Sequence, residues 1–503
     1  MQSSLFAALT SPAASIVALA IQALGVLGLF TYGVGQAHLL YLYVRRGPRP
    51  VTPPTGTGEL PFVTVQIPMY NERHVAREVM NACAALDWPR DRFELQILDD
   101  SADDTVAIID ERAEYWRGQG VAVQVVRRAH RTGYKAGALA HGTPQARGEF
   151  LAIFDADFRP YPDFLRRIMP RFADARVGFV QGRWGHLNRT WSLLTRAQAV
   201  VLDAFFVVEQ EARHRAGFII RFNGSAGVWR AAAIADAGGW HADTLSEDYD
   251  LALRAQLRGW RGDYAVDVVA PAELPVTMLD YKVQQTRWAR GRGQVIRKLV
   301  FTLWHADLPP MVKAHVLFDM FNILTVPSLL LIAFSSPWVA LVLLARPSAQ
   351  PVGIAMAIVQ LPLNIVLVPT FLWMSVRQYG RTVAGTAREL AAAILPFMLL
   401  ILGANVMMFL AFRAGLSGGS AVFHRTSKYN LGGASGSGAS DSWRSSIYRP
   451  SEISPVTWIE GATAAFFVAV CALDISLGIL FWLPFHLFLS IGFGAMFGLS
   501  LLR

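Results

Sequence analysis

Apolar runs long enough to cross a bilayer crowd both ends of the 503-residue chain, and none interrupts residues 46 to 297. A helix crosses the hydrocarbon core in roughly 20 residues. Runs near that length lie at Ser15 to Val44, Met320 to Ala345, Val352 to Val376, Glu389 to Phe412, Trp458 to Leu477 and Ile479 to Leu502. The pattern excludes a wholly soluble protein and leaves one soluble block between membrane segments. A composition of 53% apolar residues agrees.

The first run is too long for a signal-peptide core and is read as a retained helix. Arg45, Arg46 and Arg49 follow it, which by the positive-inside rule puts the next block in the cytosol. Arg377, Arg381 and Arg388 mark the same side behind Val352 to Val376. Were Glu389 to Phe412 to cross, Arg413, Arg425, Lys428, Arg444 and Arg449 would lie outside, so that run is expected to be interfacial or re-entrant. Five spans remain. The expected organisation is an N-terminal span (1–45), a cytosolic α/β block (46–297), and interfacial helices with two spans (298–413). A cytosolic loop (414–456) and two closing spans (457–503) follow, in an integral protein of the plasma (inner) membrane. Arg297 to Val316, mixed basic and apolar, is expected to lie on the membrane as an amphipathic helix.

The net charge of +9 does not mark a nucleic-acid binder, because Lys and Arg flank membrane runs and site motifs instead of forming a stripe with aromatics. Cys83 and Cys471, one in the block and one in a span, give neither a disulfide framework nor a cysteine metal site.

After a Pro/Gly/Thr-rich linker, Pro50 to Gly58, the block opens with the β-branched run Phe62 to Ile67, ended by Pro68. Further strands are expected at Phe93 to Leu98, Val121 to Val126 and Phe150 to Phe154. Helical patterns at Glu72 to Ala85, Thr105 to Arg117 and Lys135 to Thr143 separate them, so a parallel sheet covered on both faces is expected. Ligands of such sheets collect beyond the carboxyl ends of the strands. The polar clusters fall there: Asn71-Glu72, Asp99-Asp100, and Asp155 with Asp157.

Asp155 and Asp157 close an apolar strand, where two carboxylates suit Mg²⁺ or Mn²⁺ and the diphosphate it accompanies. On its own the spacing is an ordinary solvated turn; behind Phe150 to Phe154 and beside Asp99-Asp100 it is not. Asn71-Glu72 and Asp99-Asp100 offer acceptors to a base and ribose, although Asp100 to Asp103 is also a plain helix cap. Lys135 heads a helix after glycine and suits the diphosphate. Ser246-Glu247-Asp248 starts another helix, where carboxylates are favoured electrostatically. Gln284, Arg287 and Trp288 stand at i, i+3 and i+4, hence on one helix face. Such a face stacks a sugar on the indole and holds an anionic leaving group on the guanidinium.

The order of these motifs resembles the membrane-bound family 2 glycosyltransferases, which include cellulose, hyaluronan and mannan synthases. Gln181-Gly-Arg183-Trp184, Ser246-Glu-Asp-Tyr-Asp250, Arg258-Gly-Trp260, Glu273-Leu-Pro275 and Gln284-Gln-x-Arg-Trp288 are most similar to the glucomannan and β-glucan synthase-like members. Phe423-His-Arg-Thr426-Ser-Lys428 is similar to that family's gating loop. The resemblance implies a Rossmann-like GT-A domain inserted in an α-helical membrane protein, and inverting, metal-dependent transfer from a UDP- or GDP-linked sugar. It implies Asp99 or Asp100 at the base, with Pro68 and Glu72 in the nucleotide site. Asp155 and Lys135 would hold the diphosphate, and Asp155 and Asp157 the metal. Asp248 would be the general base, and Gln284, Arg287 and Trp288 would serve diphosphate and acceptor. Phe423, Thr426 and Lys428 would cover the nucleotide. Asn223-Gly224-Ser225 stands in an acceptor segment where cellulose synthases carry Cys at the position of Asn223, which weakens a cellulose assignment.

The expected activity is elongation and translocation of a β-linked glucan, mannan or glucomannan. The rival is a glycolipid synthase that adds one sugar to a lipid. A transporter with a nucleotide-sensing domain is a third reading, opposed by the scarcity of ionisable groups in the spans. Asp474, inside the fourth expected span, must face a neighbouring helix or a polar conduit.

Overall fold

The computed structural model describes residues 2–49, 59–380, 382–419, 423–431 and 453–502. The expected linker at 50–58, Arg381, Arg444 and Arg449, and much of the 414–456 loop lie outside the described residues. Seven strands form one mixed sheet: β1 (Val63–Met69), β2 (Phe93–Asp99), β3 (Ala122–Arg127), β4 (Phe150–Ile153), β5 (Val177–His186), β6 (Gly227–Arg230) and β7 (Arg261–Ala272). Their order is β3-β2-β1-β4-β6-β5-β7.

The four strands expected from the sequence are β1 to β4, and they pair in parallel. β2 and β4 are buried along their whole length and β1 at all but one residue, as befits strands covered on both faces. The helices Ala76–Ala84, Thr105–Gly118 and Tyr134–Gly142 lie between them in sequence. The chain moves outward from β1 to β3 and returns on the other side of β1 at β4, so the topological switch lies between β1 and β4.

The sheet is not wholly parallel. β6 runs antiparallel to β4 and β5, with Gly227 opposite Ile153. Because an antiparallel strand begins where its neighbour ends, the segment preceding Gly227 is delivered to the carboxyl end of β4. A four-residue strand beginning at a glycine carries almost no alternation from which to read it.

Five helices among the described residues are long and apolar enough to cross a membrane: Pro12–Arg45, Pro310–Ala345, Val383–Ser417, Pro455–Ser476 and Leu483–Leu501. One member of the set differs from the expectation. Glu389 to Phe412, read as interfacial or re-entrant, is the middle of a continuous 35-residue helix that contacts the α/β block near both ends, Glu389 on Arg189 and Gly415 against Arg290. Val352 to Val376, read as a span, lies in one uninterrupted helical run made of Gln350–Pro362, a π-turn Leu363–Leu367 and Val368–Val376, and just past its end Gln378 and Tyr379 contact Arg183 and Asp203. Pro362 and Pro369 bracket that π-turn, and each removes a backbone donor from the helical ladder.

Arg297 to Val316 is not one helix. It joins the end of Met278–His305 to the start of Pro310–Phe321, and Pro309-Pro310 enforces the break. Phe301 and Trp304 are nonetheless strongly exposed there, as a membrane-facing surface requires. Asp474 faces neighbouring helices: its Oδ2 lies 2.6 Å from Nδ1 of His486, whose Nε2 lies 2.9 Å from Oγ of Ser336. All three are buried.

Candidate active site

A cavity of about 210 Å³ opens at the carboxyl ends of β1 and β4. Its lining draws Pro68 and Glu72 from the end of β1, Asp100 from the end of β2, and Asp155 and Asp157 from the end of β4. Lys135, Asn223, Gly224, Asp248, Gln284, Arg287 and Trp288 join them, with Phe423, Thr426 and Lys428 closing the mouth. Segments more than 300 residues apart in sequence thus meet at the switch point.

Two expected residues lie outside the lining. Asp99 is buried behind it; its Oδ2 accepts from Nε of Arg127 at 2.8 Å and its Oδ1 from the Ser101 amide at 2.9 Å, so it shapes the turn after β2. Ser225 is fully buried, and its Oγ accepts from the Asp155 amide at 3.0 Å, holding that backbone from below. Asp100 lines the cavity, but Arg128 bridges both its oxygens at 3.0 and 2.5 Å. Both carboxylates after β2 are thus paired with arginines, and of the two only Asp100 faces the cavity.

The acidic pair is compensated by ammonium groups. Nζ of Lys135 lies 2.5 Å from Oδ1 of Asp155 and donates to the Gly224 carbonyl at 2.8 Å. Nζ of Lys428 lies 2.5 Å from Oδ2 of Asp157 and donates to the Glu273 carbonyl at 2.8 Å. Gly224 has φ +81°, and a Cβ there would stand 2.8 Å from Oδ2 of Asp248 and 3.3 Å from Nζ of Lys135. Glycine is required twice, by the backbone and by the approach of the carboxylate.

Asp248 sits in the first turn of Glu247–Leu257, where its Oδ1 accepts from the Tyr249 amide at 2.7 Å. Gly291 lets the helix Met278–His305 close on that turn, since a Cβ would meet Oγ of Ser246 at 2.2 Å. One face of this helix supplies Gln284, Arg287 and Trp288 to the cavity, as their spacing requires. The Trp288 ring lies 6.5 Å from the ring of Trp184, whose indole donates to the Ser225 carbonyl at 3.1 Å.

The segment 423–431 is tied down at several points. Phe423 stacks on Tyr134 at 5.6 Å, with the Arg287 guanidinium 4.6 Å from its ring centroid. Arg425 pairs with Glu72 at 3.1 Å and donates to the Asn71 carbonyl. Glu273 accepts the amides of Tyr429 and Leu431, and Asp280 those of the Ser427 amide and the Tyr429 hydroxyl. Of these residues and Glu247, the sequence motifs include Glu247 and Glu273 without giving either a role, and Arg425 and Asp280 carry no expectation as site residues. The signals were present: Arg425 and Glu247 adjoin expected residues, and Thr277 to Asp280 has helix-capping spacing.

Burial dominates the electrostatics. It raises Glu72 to about 7 against the pull of Arg425, and Glu247 to about 7 with help from Asp248. Burial also raises Asp248, with Lys135 opposing. It lowers Arg287, although the surrounding carboxylates resist. For Lys135 and Lys428 burial is outweighed by Asp155 and Asp157, and both ammonium groups are held above their ordinary value. Asp155 and Asp157 present hard oxygen donors of the type that suits Mg²⁺ or Mn²⁺, and each is paired with an ammonium group. A separate cluster, His241, Asp243 and Asp250, encloses the Lys298 ammonium at 2.8 to 3.0 Å.

A second cavity of about 400 Å³ shares Trp184, Asn223, Asp248, Gln284 and Trp288 with the first. Its far wall is Tyr32, Leu329, Ile401 and Asn405, from three helices long and apolar enough to cross a membrane.

The sequence model described as glycosyltransferase like family 2 matches residues 61–291, the stretch that carries the sheet and most of the cavity lining. These residues form a family 2 glycosyltransferase domain. The chain is 44% identical over 274 residues to probable glucomannan 4-beta-mannosyltransferase 7 of Oryza sativa subsp. japonica, covering 53% of this chain and 46% of the relative. It is 44% identical over 253 residues to glucomannan 4-beta-mannosyltransferase 2 of Arabidopsis thaliana, covering 49% and 47%. The matched stretch thus spans about half the length of these curated relatives. Among solved structures, a mannosyltransferase from Pyrobaculum calidifontis in complex with GDP-Man and Mn²⁺ is similar at 22% identity and a TM-score of 0.51, over 75% of this chain and 99% of that one. That likeness establishes the GT-A fold of the glycosyltransferase domain.

Proposed function

We propose that this chain is an inverting hexosyltransferase that elongates a β-linked mannan or glucomannan and passes it into the membrane. The names of the relatives favour mannose, with GDP-mannose the first donor to test and UDP-glucose the second. The observation that carries the reading is the wall common to both cavities: Asp248, Gln284 and Trp288 face the carboxylates on one side and the membrane helices on the other.

In this reading the donor diphosphate lies against Lys135 and Arg287, with Asp155 and Asp157 as the residues that would hold a divalent cation. When bound, that cation neutralises charge on the diphosphate. The acceptor sugar stacks on Trp288 and presents a hydroxyl to Asp248. A buried carboxylate with a raised pKa is a stronger base, and it takes the hydroxyl proton as oxygen bonds to the anomeric carbon. The bond from that carbon to the diphosphate breaks on the opposite face, so configuration inverts without an enzyme nucleophile. Arg287 and Lys135 stabilise the departing charge, while Phe423 and Lys428 shield it from water. The domain faces the cytosol of the plasma (inner) membrane, as the arginines after the first span favour.

The test reconstitutes the full chain in liposomes with Mn²⁺ and radiolabelled GDP-mannose or UDP-glucose. The expected product is an ethanol-insoluble polymer cleaved by an endo-β-mannanase. A label extracted wholly into chloroform contradicts elongation and indicates a single sugar on a lipid.

A further inference from the structure

Asp319 is buried in the helix Pro310–Phe321, which leads into a helix long enough to cross the membrane, and the chemistry above makes no use of it. Its Oδ2 accepts from Nε of Arg221 at 2.7 Å and from the Tyr249 hydroxyl at 2.9 Å. Its Oδ1 lies 2.5 Å from Nη2 of Arg221 and 3.0 Å from Nη2 of Arg213. Its backbone carbonyl accepts from Nη1 of Arg292 at 2.8 Å. The Tyr249 ring is held between two guanidiniums, those of Arg221 at 5.1 Å and Arg292 at 5.2 Å.

Three of these partners, Arg221, Tyr249 and Arg292, belong to segments that carry a site residue. Arg221 precedes Asn223 by two positions, Tyr249 directly follows Asp248, and Arg292 lies one helical turn beyond Trp288. A single carboxylate therefore ties the acceptor loop, the helix start bearing Asp248 and the indole-bearing helix to the membrane part of the chain. An ionisable group at such a boundary is costly to retain without a role, and a fully satisfied buried network fixes one geometry.

We infer that Asp319 is a positioning residue for glycosyl transfer, acting through Tyr249 to set Asp248 against the acceptor held by Trp288. The inference rests on the glycosyltransferase reading. It makes two demands on a variant: slower transfer, and an intact nucleotide site, because neither Asp155 nor Lys135 touches the network.

The test uses the full chain in nanodiscs, with Asp319→Asn, Asp319→Glu, Tyr249→Phe and the double variant D319N/Y249F. GDP affinity in the presence of Mn²⁺, kcat and acceptor KM are measured. Asp319→Asn is expected to lower kcat about 30-fold with GDP affinity within about threefold of wild type. Tyr249→Phe is expected to lower it about tenfold, and Asp319→Glu to regain at least half of the logarithmic loss. Because both groups act along one path, the double variant should be no slower than Asp319→Asn within about threefold.

Losses in the double variant that multiply overturn the inference, as does parallel loss of GDP affinity and folded protein in Asp319→Asn. If Asp319→Asn does not fold, a wild-type kcat in Tyr249→Phe overturns it alone. A wild-type chain that transfers no hexose overturns instead the reading beneath it.

Discussion

Nζ of Lys428 lies 2.5 Å from Oδ2 of Asp157, so a cation from near the C-terminal helices rests on a carboxylate at the end of β4. The same segment places Arg425 on Glu72. Two acids of the donor cavity are thus matched by side chains, and a divalent ion held by Asp155 and Asp157 would compete with Lys428. Lys428→Gln should tighten Mn²⁺ binding in the absence of nucleotide by about tenfold, one unit charge removed at close range. Counting free Mn²⁺ by electron paramagnetic resonance checks this; unchanged affinity would mean that Asp157 is not a ligand.

Gly224 cannot carry a side chain without displacing Asp248 or Lys135. Gly224→Ala should cost about 1 kcal/mol of stability through its positive φ. Its effect on turnover should be larger, about 10²-fold, because displacing a reactive group by an ångström is enough for such a loss. Thermal unfolding and initial rates on one preparation separate the two effects.

The raised carboxyls predict a pH dependence of definite sign. Burial, reinforced by Asp248, lifts Glu247 from its ordinary 4.5 to about 7. Protonation therefore favours the folded state, and this contribution is complete below pH 4.5 and lost as pH rises through 7. The unfolding midpoint of Glu247→Gln should fall less between pH 5 and 8 than that of wild type. Transfer runs the other way, since Asp248 must be ionised to accept a proton. Its rate should rise with pH on the acid limb, with an apparent pKa above the usual aspartate range.

Asp474 and His486 share a buried contact of 2.6 Å between two closing helices, far in sequence from the cavity residues. Asp474→Ala should lower the unfolding midpoint in detergent by several degrees, since breaking a buried pair strands its partner. GDP affinity, measured on the same sample, should stay unchanged.

The parallel half of the sheet was legible because β1, β2 and β4 are covered on both faces, and continuous β-branched or apolar runs such as Phe62 to Ile67 announce that burial. Their carboxyl ends then located Glu72, Asp155 and Asp157 at the cavity. What the sequence hid is pairing. Nothing in Asp99-Asp100 betrays that Arg127 and Arg128, on the neighbouring strand and just beyond it, occupy both carboxylates. Loop charge and hydropathy disagree over Glu389 to Phe412, a helix long and apolar enough to cross that nevertheless meets the domain near both ends, through Glu389 on Arg189 and Gly415 against Arg290. Val352 to Val376 keeps its helical course past both prolines by way of a π-turn, a detail that hydropathy does not register.

In the proposed reaction Asp248 performs the proton transfer while the rest of the cavity binds the donor. The direct measurement compares Asp248→Asn with wild type in GDP affinity and in single-turnover mannosyl transfer. GDP affinity should stay within about threefold and the rate should fall by about 10²-fold to 10⁴-fold, the usual contribution of a positioned base. Transfer at the wild-type rate by Asp248→Asn would contradict that role.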